Sequence, residues 1–296
     1  MVQNFIMRPC RIFALRVCVF ALAGLLIGCS ALRLGYSNGE SIVYWWLHGY
    51  VDLEAGQESK TRAVIGDLFA WHRKTQLPEY AQLLVQVRQL LSREAMPVDV
   101  LKVRDELKGR MLAVIDRALP ALADLALSLE PRQITHIEQK FASNNENYRK
   151  EYLRGDLEDR QSLRYKKVMK QAEYWFGRFS PEQEARIRAA SDARPLDNAF
   201  WMAERMRRQR ELITLLTRIH AQKPGRDATV RMLREYVTTN FEGTGNEANR
   251  AFLDASTDGM AQMVALIVNI ATPEQKAHAA KRLQEWIADF QVLGAK

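Results

Sequence analysis

From residue 57 to the C-terminal end, apolar residues recur every three or four positions and almost never alternate. That period fits the buried stripe of an α-helix and leaves no convincing strand. Runs of this kind cover 57–76 and 78–92. A third, 97–127, contains Pro120, which is expected to kink or split it, because the ring lacks an N–H and crowds the preceding turn. The segments 131–153 and 156–177 read as a hairpin about Gly155. Ile134, Ile137, Phe141, Tyr148 and Tyr152 form one stripe, and Leu157, Val168, Ala172 and Trp175 the other. Helices at 181–193 and 196–222 follow, the second carrying Met202, Met206, Ile213 and Leu216, and Lys223-Pro224-Gly225 breaks the chain. The last helices are expected at 227–240, 246–270 and 273–293, with Leu283, Trp286, Ile287 and Phe290 as the final buried stripe. About ten helices on short connections define an all-α class, a multi-helix bundle with antiparallel hairpins. A seam, if one exists, falls at 120–131 or 223–227.

Three helices open on a similar word: Leu129-Glu130-Pro131-Arg132-Gln133, Phe179-Ser180-Pro181-Glu182-Gln183 and Ala271-Thr272-Pro273-Glu274-Gln275. In the last two, Ser180 or Thr272 accepts from a first-turn N–H, proline fills a position where no donor is needed, and glutamine reaches back. Glu182 and Glu274 oppose the positive end of the helix dipole. The word resembles the Leu-Thr-x-x-Gln motif of the Spy and CpxP family of small periplasmic helical proteins, which includes a chaperone and a stress-signalling modulator. Only the first copy has the leucine, and it lacks the threonine. Good caps alone account for the pattern, and that is the favoured reading.

The N-terminus decides location. Arg8, Arg11 and Arg16 precede an apolar run from Val17 to Ile27, followed by small residues, the order of a secretory signal. At about 1.5 Å per residue the run covers under 20 Å, short of a hydrocarbon core of about 30 Å. It ends Leu26-Ile27-Gly28-Cys29, which resembles the bacterial lipobox. The resemblance implies cleavage between Gly28 and Cys29 and acylation of the Cys29 thiol and new amino group. One acyl chain holds a protein marginally, whereas two or more hold it stably. Ser30 stands where lipoproteins of the inner membrane often carry Asp, which implies the outer membrane, facing the periplasm. The expected partition is a cleaved signal at 1–28, a lipidated cysteine and tether at 29–40 reaching about 35 Å when extended, and a helical domain at 41–296. Of the three cysteines, Cys10 and Cys18 leave with the signal and Cys29 is capped, so no disulfide and no cysteine-based metal site is expected.

Removing the three leader arginines lowers the net charge from +8 to +5. A mild positive balance on an exported chain does not favour nucleic acid; anionic lipid head groups or acidic envelope polymers suit it better. No cofactor or metal is expected. The five histidines are scattered, and there is no His-Glu-x-x-His word, phosphate loop or Gly-x-Ser-x-Gly elbow. Arg205, Arg207, Arg208 and Arg210 spread around their helix and read as a solvated face paired to Glu204 and Glu211. Tyr44, Trp45, Trp46 and Tyr50 either rest at a membrane interface or bury two rings and expose the rest. The polar run at 143–147 interrupts an amphipathic helix and marks either a hydrogen-bonding surface or a buried polar contact. Its Asn144, Asn145 and Glu146, with Arg149 beyond, form the candidate binding surface.

A broader resemblance spans nearly the whole mature chain. Tyr44-Trp45-Trp46-Leu47, Phe69-Ala70-Trp71-His72-Arg73, Lys140-Phe141-Ala142-Ser143-Asn144-Asn145-Glu146 and Ala172-Glu173-Tyr174-Trp175-Phe176-Gly177 resemble segments of a bacterial lipoprotein family of unknown function. That resemblance implies a class and an address, but no activity. The function expected is a membrane-anchored helical binding or scaffolding protein of the cell envelope, chaperone-like in one version, with an envelope protein or anionic polymer as partner and no catalytic residues. The alternative is an enzyme acting on an envelope polymer through carboxylates such as Glu146 or Glu173 brought together by folding.

Overall fold

The computed structural model describes residues 31–241 and 247–295; the expected signal at 1–28 and Cys29 lie outside the described residues. Among these there are eleven helices and no strand. They are α1 (Ala31–Ser37), α2 (Gly39–Val51), α3 (Ala55–Leu90), α4 (Pro97–Ser128), α5 (Pro131–Tyr152), α6 (Leu157–Phe176), α7 (Pro181–Asp192), α8 (Asn198–Gln222), α9 (Arg226–Phe241), α10 (Glu247–Ile270) and α11 (Pro273–Gly294). The all-α expectation holds.

Three local expectations need correction. Residues 31–37 are helical, not an extended tether. Pro78 and Pro120 each lie inside a continuous helix, α3 and α4. A proline in a helix costs about 3 kcal/mol, and neighbouring burial offsets it: Leu77 and Ala81 flank Pro78, and Leu119 and Ala123 flank Pro120, all sealed from solvent. The third correction concerns α5 and α6, which do not pack along their lengths; the end of α5 reaches the middle of α6, where Lys167 pairs with Glu151 at 2.6 Å. Instead α5 packs on α2 and α8, and α6 on α7 and α11. Leu157, expected on the stripe of α6, is exposed.

Two cores result. The larger gathers Tyr44, Ile65, Leu119, Ile134, Leu216 and Ile219 from α2, α3, α4, α5 and α8. The smaller joins Met169, Ala172, Ile187, Met263 and Ile267 from α6, α7 and α10 with Phe179 from the α6–α7 connection. The chain passes from one to the other at Gly155, whose φ of +74° suits glycine. Long contacts of α3 with α11 and of α4 with α10 join them. Asn249–Ile270 of α10 is long and apolar enough to cross a membrane by length and composition. In the fold that helix buries Ala261, Met263, Ala265 and Ile267.

Helix α1 is tied down by polar contacts. Arg33 pairs with the buried carboxylate of Asp289 on α11, and Tyr36 Oη lies 2.8 Å from His72 Nδ1. Glu40, on α2, meets Arg73 at 3.1 Å. Gly39 permits this crossing, since a Cβ there would sit 2.6 Å from the Phe69 ring. Burial pushes the His72 pKa below its ordinary 6.5 and the Tyr36 hydroxyl up to about 12. With its folded pKa depressed, His72 is protonated more readily in the unfolded chain, so stability falls as pH drops below 6.5. Denaturation at pH 7.5 and 5.5 should show a smaller pH-dependent loss for His72→Phe than for the wild type; an equal loss refutes the assignment.

Candidate functional site

The recurring helix starts do more than cap. The glutamine of each word accepts from its own N-cap N–H, at 3.0 Å in Gln133, 2.9 Å in Gln183 and 2.8 Å in Gln275. A fourth copy, Leu53-Glu54-Ala55-Gly56-Gln57, does the same at 3.0 Å. The four then pair. Gln133 Nε2 donates to Gln57 Oε1 (2.8 Å) and Gln57 Nε2 to Gln133 Oε1 (3.3 Å). Gln183 and Gln275 exchange the same bonds at 2.9 and 3.2 Å.

Each amide also donates to a carbonyl two residues before its partner's N-cap: Gln57 to Ser128, Gln133 to Asp52, Gln183 to Ile270 and Gln275 to Arg178, at 3.1, 3.0, 2.7 and 2.6 Å. Ser128 and Ile270 end their helices, so one side chain satisfies an orphan donor of its own helix and an orphan acceptor of a neighbour. The residue before each cap, Leu53, Leu129, Phe179 or Ala271, is buried. Four helix–helix junctions are thereby fastened in two pairs, one beside each core.

The first pair closes one end of an apolar groove of about 510 Å³. Its walls are α2 (Val43, Trp46, Leu47), the start of α3 (Thr61, Val64, Leu68) and the end of α4 (Ala121, Leu122, Leu125). Ile65 is buried at its floor, while Trp46 and Leu122 stand exposed at its rim. Charge is sparse and of both signs: Lys60 lies 3.7 Å from Asp124, which also holds Arg226 at 2.9 Å, and Glu54 sits near the glutamines. Apolar lining with a few polar groups on an edge is the usual composition of a binding cleft.

The sequence-based candidates fall elsewhere. Asn145 is buried in a cleft between α5 and α8, where its Oδ1 accepts from Arg205 Nε (2.8 Å) and its amide donates to Gln209 (2.7 Å). Asn144 donates to Tyr50 Oη at 2.6 Å. The two asparagines are therefore interhelical contacts, not an open surface. Glu146 is exposed and lies 3.6 Å from Arg149 and 3.8 Å from Lys150 on its own helix. Glu173 is exposed on α6, and neither acid lines the groove or that cleft.

Arg207 binds Glu204 at 2.9 Å and Glu211 at 2.5 Å, the expected acid partners. Of the four N-terminal rings, Tyr44 is buried, Tyr50 half-buried, and Trp45 and Trp46 are each 61% exposed. No cluster of three or more potential metal-ligating side chains occurs among the described residues. The groove went unread in the sequence because its walls lie up to 85 residues apart, from Val43 to Ser128.

Fold and site together define an all-helical protein with two glutamine-fastened cores and an apolar cleft beside the first. The chain belongs to a family of unknown function, DUF6279, whose model matches residues 49–235. The match takes in the Gln57–Gln133 pair and the α3 and α4 walls of the groove. No curated protein and no solved structure matches the chain.

Proposed function

We propose that the protein is a lipid-anchored, non-catalytic binding protein of the cell envelope that holds an apolar polypeptide segment of a partner in the α2–α3–α4 groove. The observation that carries this reading is the groove itself, open, apolar and rimmed by exposed Trp46 and Leu122. Its charges of both signs argue against an anionic polymer in that cleft, which would need one sign in excess. The anchor is supported by Leu26-Ile27-Gly28-Cys29. Outer-membrane attachment, facing the periplasm, follows from Ser30 by the same lipobox resemblance.

Two measurements test it. Mass spectrometry of the membrane-extracted protein should find Cys29 acylated at a new N-terminus, and Cys29→Ala should release the chain from membranes. Binding is read by fluorescence anisotropy with a labelled amphipathic Leu/Lys peptide. Thr61→Trp, which fills the groove, should weaken that affinity about tenfold, equivalent to about 1.4 kcal/mol, while Glu146→Gln on α5 leaves it unchanged. Equal affinity for Thr61→Trp and wild type refutes the groove as the site.

A further inference from the structure

One face of the molecule breaks the rule of the rest of its surface. Across Ala31 to Trp46 ten positions are exposed, and none is charged, in a chain where 26% of residues carry charge. Soluble surfaces ordinarily keep charges interspersed at about that density or higher. The two charged residues of this stretch, Arg33 and Glu40, are both ion-paired, to Asp289 and Arg73, although the Glu40 carboxylate stays 43% exposed.

What faces out is uncharged, with Ser37, Asn38 and Ser41 among larger apolar side chains. Leu34, Ile42, Trp45 and Trp46 are 50%, 58%, 61% and 61% exposed. Ile42, Trp45 and Trp46 stand at i, i+3 and i+4, one side of α2. Leu34 extends that side, because α1 runs into α2 almost without a break: Asn38 N–H donates to Leu34 O at 3.2 Å, and Ile42 N–H to Asn38 O at 3.0 Å.

Beside the patch lies an exposed cation, Arg62. The Arg62 guanidinium sits 3.3 Å from the centre of the Tyr44 ring and 5.8 Å from that of Trp45. Uncharged aliphatic side chains with tryptophan at their edge and a cation alongside match the chemistry of a phospholipid interface. Indole rings settle at head-group level there, and a guanidinium meets phosphate.

The position of the patch in the chain selects the same occupant. It begins at Ala31, and Cys29 lies two residues earlier, a span of at most about 7 Å. Acyl chains on that thiol would set the bilayer surface at the foot of α1, with no linker to lift the body away. We infer that the outer face of α1 and α2 docks on the bilayer, Ile42, Trp45 and Trp46 entering the boundary between head groups and acyl chains and Arg62 lying at phosphate level. The groove, whose rim includes Trp46, then opens beside the membrane. This inference rests on the membrane attachment proposed above, and the test separates the two.

The full chain, extracted from membranes, is reconstituted into vesicles of phosphatidylethanolamine and phosphatidylglycerol containing phosphatidylcholine brominated in its acyl chains. Bromine should quench part of the tryptophan emission, and the double substitution Trp45→Ser and Trp46→Ser should abolish most of that quenching. Trp71, Trp175, Trp201 and Trp286 remain as reporters of an intact fold. Both replaced rings are exposed, so the variant is expected to fold, which circular dichroism verifies. Equal quenching in both proteins overturns the inference, as does no quenching in the wild type. Self-association that shields the two rings without bromine quenching overturns it too, and assigns the face to a second copy. Cys29→Ala in the same vesicles reports the anchor separately: quenching that persists in this variant removes the need for lipid and leaves the docking face standing.

Discussion

Gln133→Leu should lower the free energy of unfolding by about 4 kcal/mol, a large share of the stability of a typical domain. Leucine is one heavy atom shorter than glutamine but similar in bulk, so the loss is chiefly polar in origin. Gln133 is completely buried and is bonded to the Glu130 N–H, the Asp52 carbonyl and the Gln57 amide. Each of these groups loses a partner where water enters poorly, at about 1–3 kcal/mol apiece.

The corresponding Gln275→Leu should cost less, about 2 kcal/mol, because that pair is only half-buried. Substituting both members, Gln57→Leu with Gln133→Leu, should not restore stability. It removes the mutual bonds symmetrically, yet the backbone groups at Asp52, Glu54, Ser128 and Glu130 still go without their amides. Chemical denaturation of the purified variants provides the measurement. A loss under about 1 kcal/mol for Gln133→Leu would show water replacing the amide, and the junction would then be held by Leu53 and Leu129 alone.

The same residues show what a sequence discloses and what it withholds. Helix starts at Pro131, Pro181 and Pro273 were legible because capping is local, with every partner inside five residues. The word at Leu53–Gln57 escaped because it has alanine in place of proline and no hydroxyl cap; apolar Leu53 and Gln57 three residues after Glu54 were the available signals. That the words pair could not be read at all, since partners lie 76 and 92 residues apart and helical periodicity carries no information about which helix lies beside which. The α5–α6 hairpin failed for that reason. Amphipathic stripes on consecutive helices permit a hairpin, but both stripes found other partners, α5 on α8 and α6 on α11.

The prolines show tertiary context overriding local preference: Pro78 and Pro120 sit where buried stripes continue on both sides. Asp289 was missed because burial of a carboxylate next to Ile287 and Phe290 departs from the pattern of its helix. Its partner Arg33 lies on a segment without readable periodicity. Of the candidate surface, the polar run at 143–147 was located correctly as an interruption, but asparagine has no signature that separates an interhelical bond from an open face.

Asp289 and Arg33 carry the other large expected effect. Arg33→Ala should cost about 2 kcal/mol, because it withdraws a charged hydrogen-bond partner from a carboxylate that is only 3% exposed on α11. Asp289→Leu should cost less, since it removes the buried charge and leaves behind an arginine side chain with 31% exposure that reaches water. The asymmetry is the diagnostic, for an ordinary surface ion pair would give two small and similar losses. Arg33→Lys should fall between, its point charge unable to reproduce the guanidinium geometry. The consequence extends beyond stability, because Arg33 fixes the helix that begins the uncharged face. In Arg33→Ala, α1 keeps the Tyr36 ring contacts with Phe69 and His72 but loses its ion pair with α11. Limited proteolysis should then cut within α1 at protease levels that leave the wild type whole. Equal protection of both proteins would mean that the aromatic contacts suffice, and that the docking face is held from α3 instead of α11.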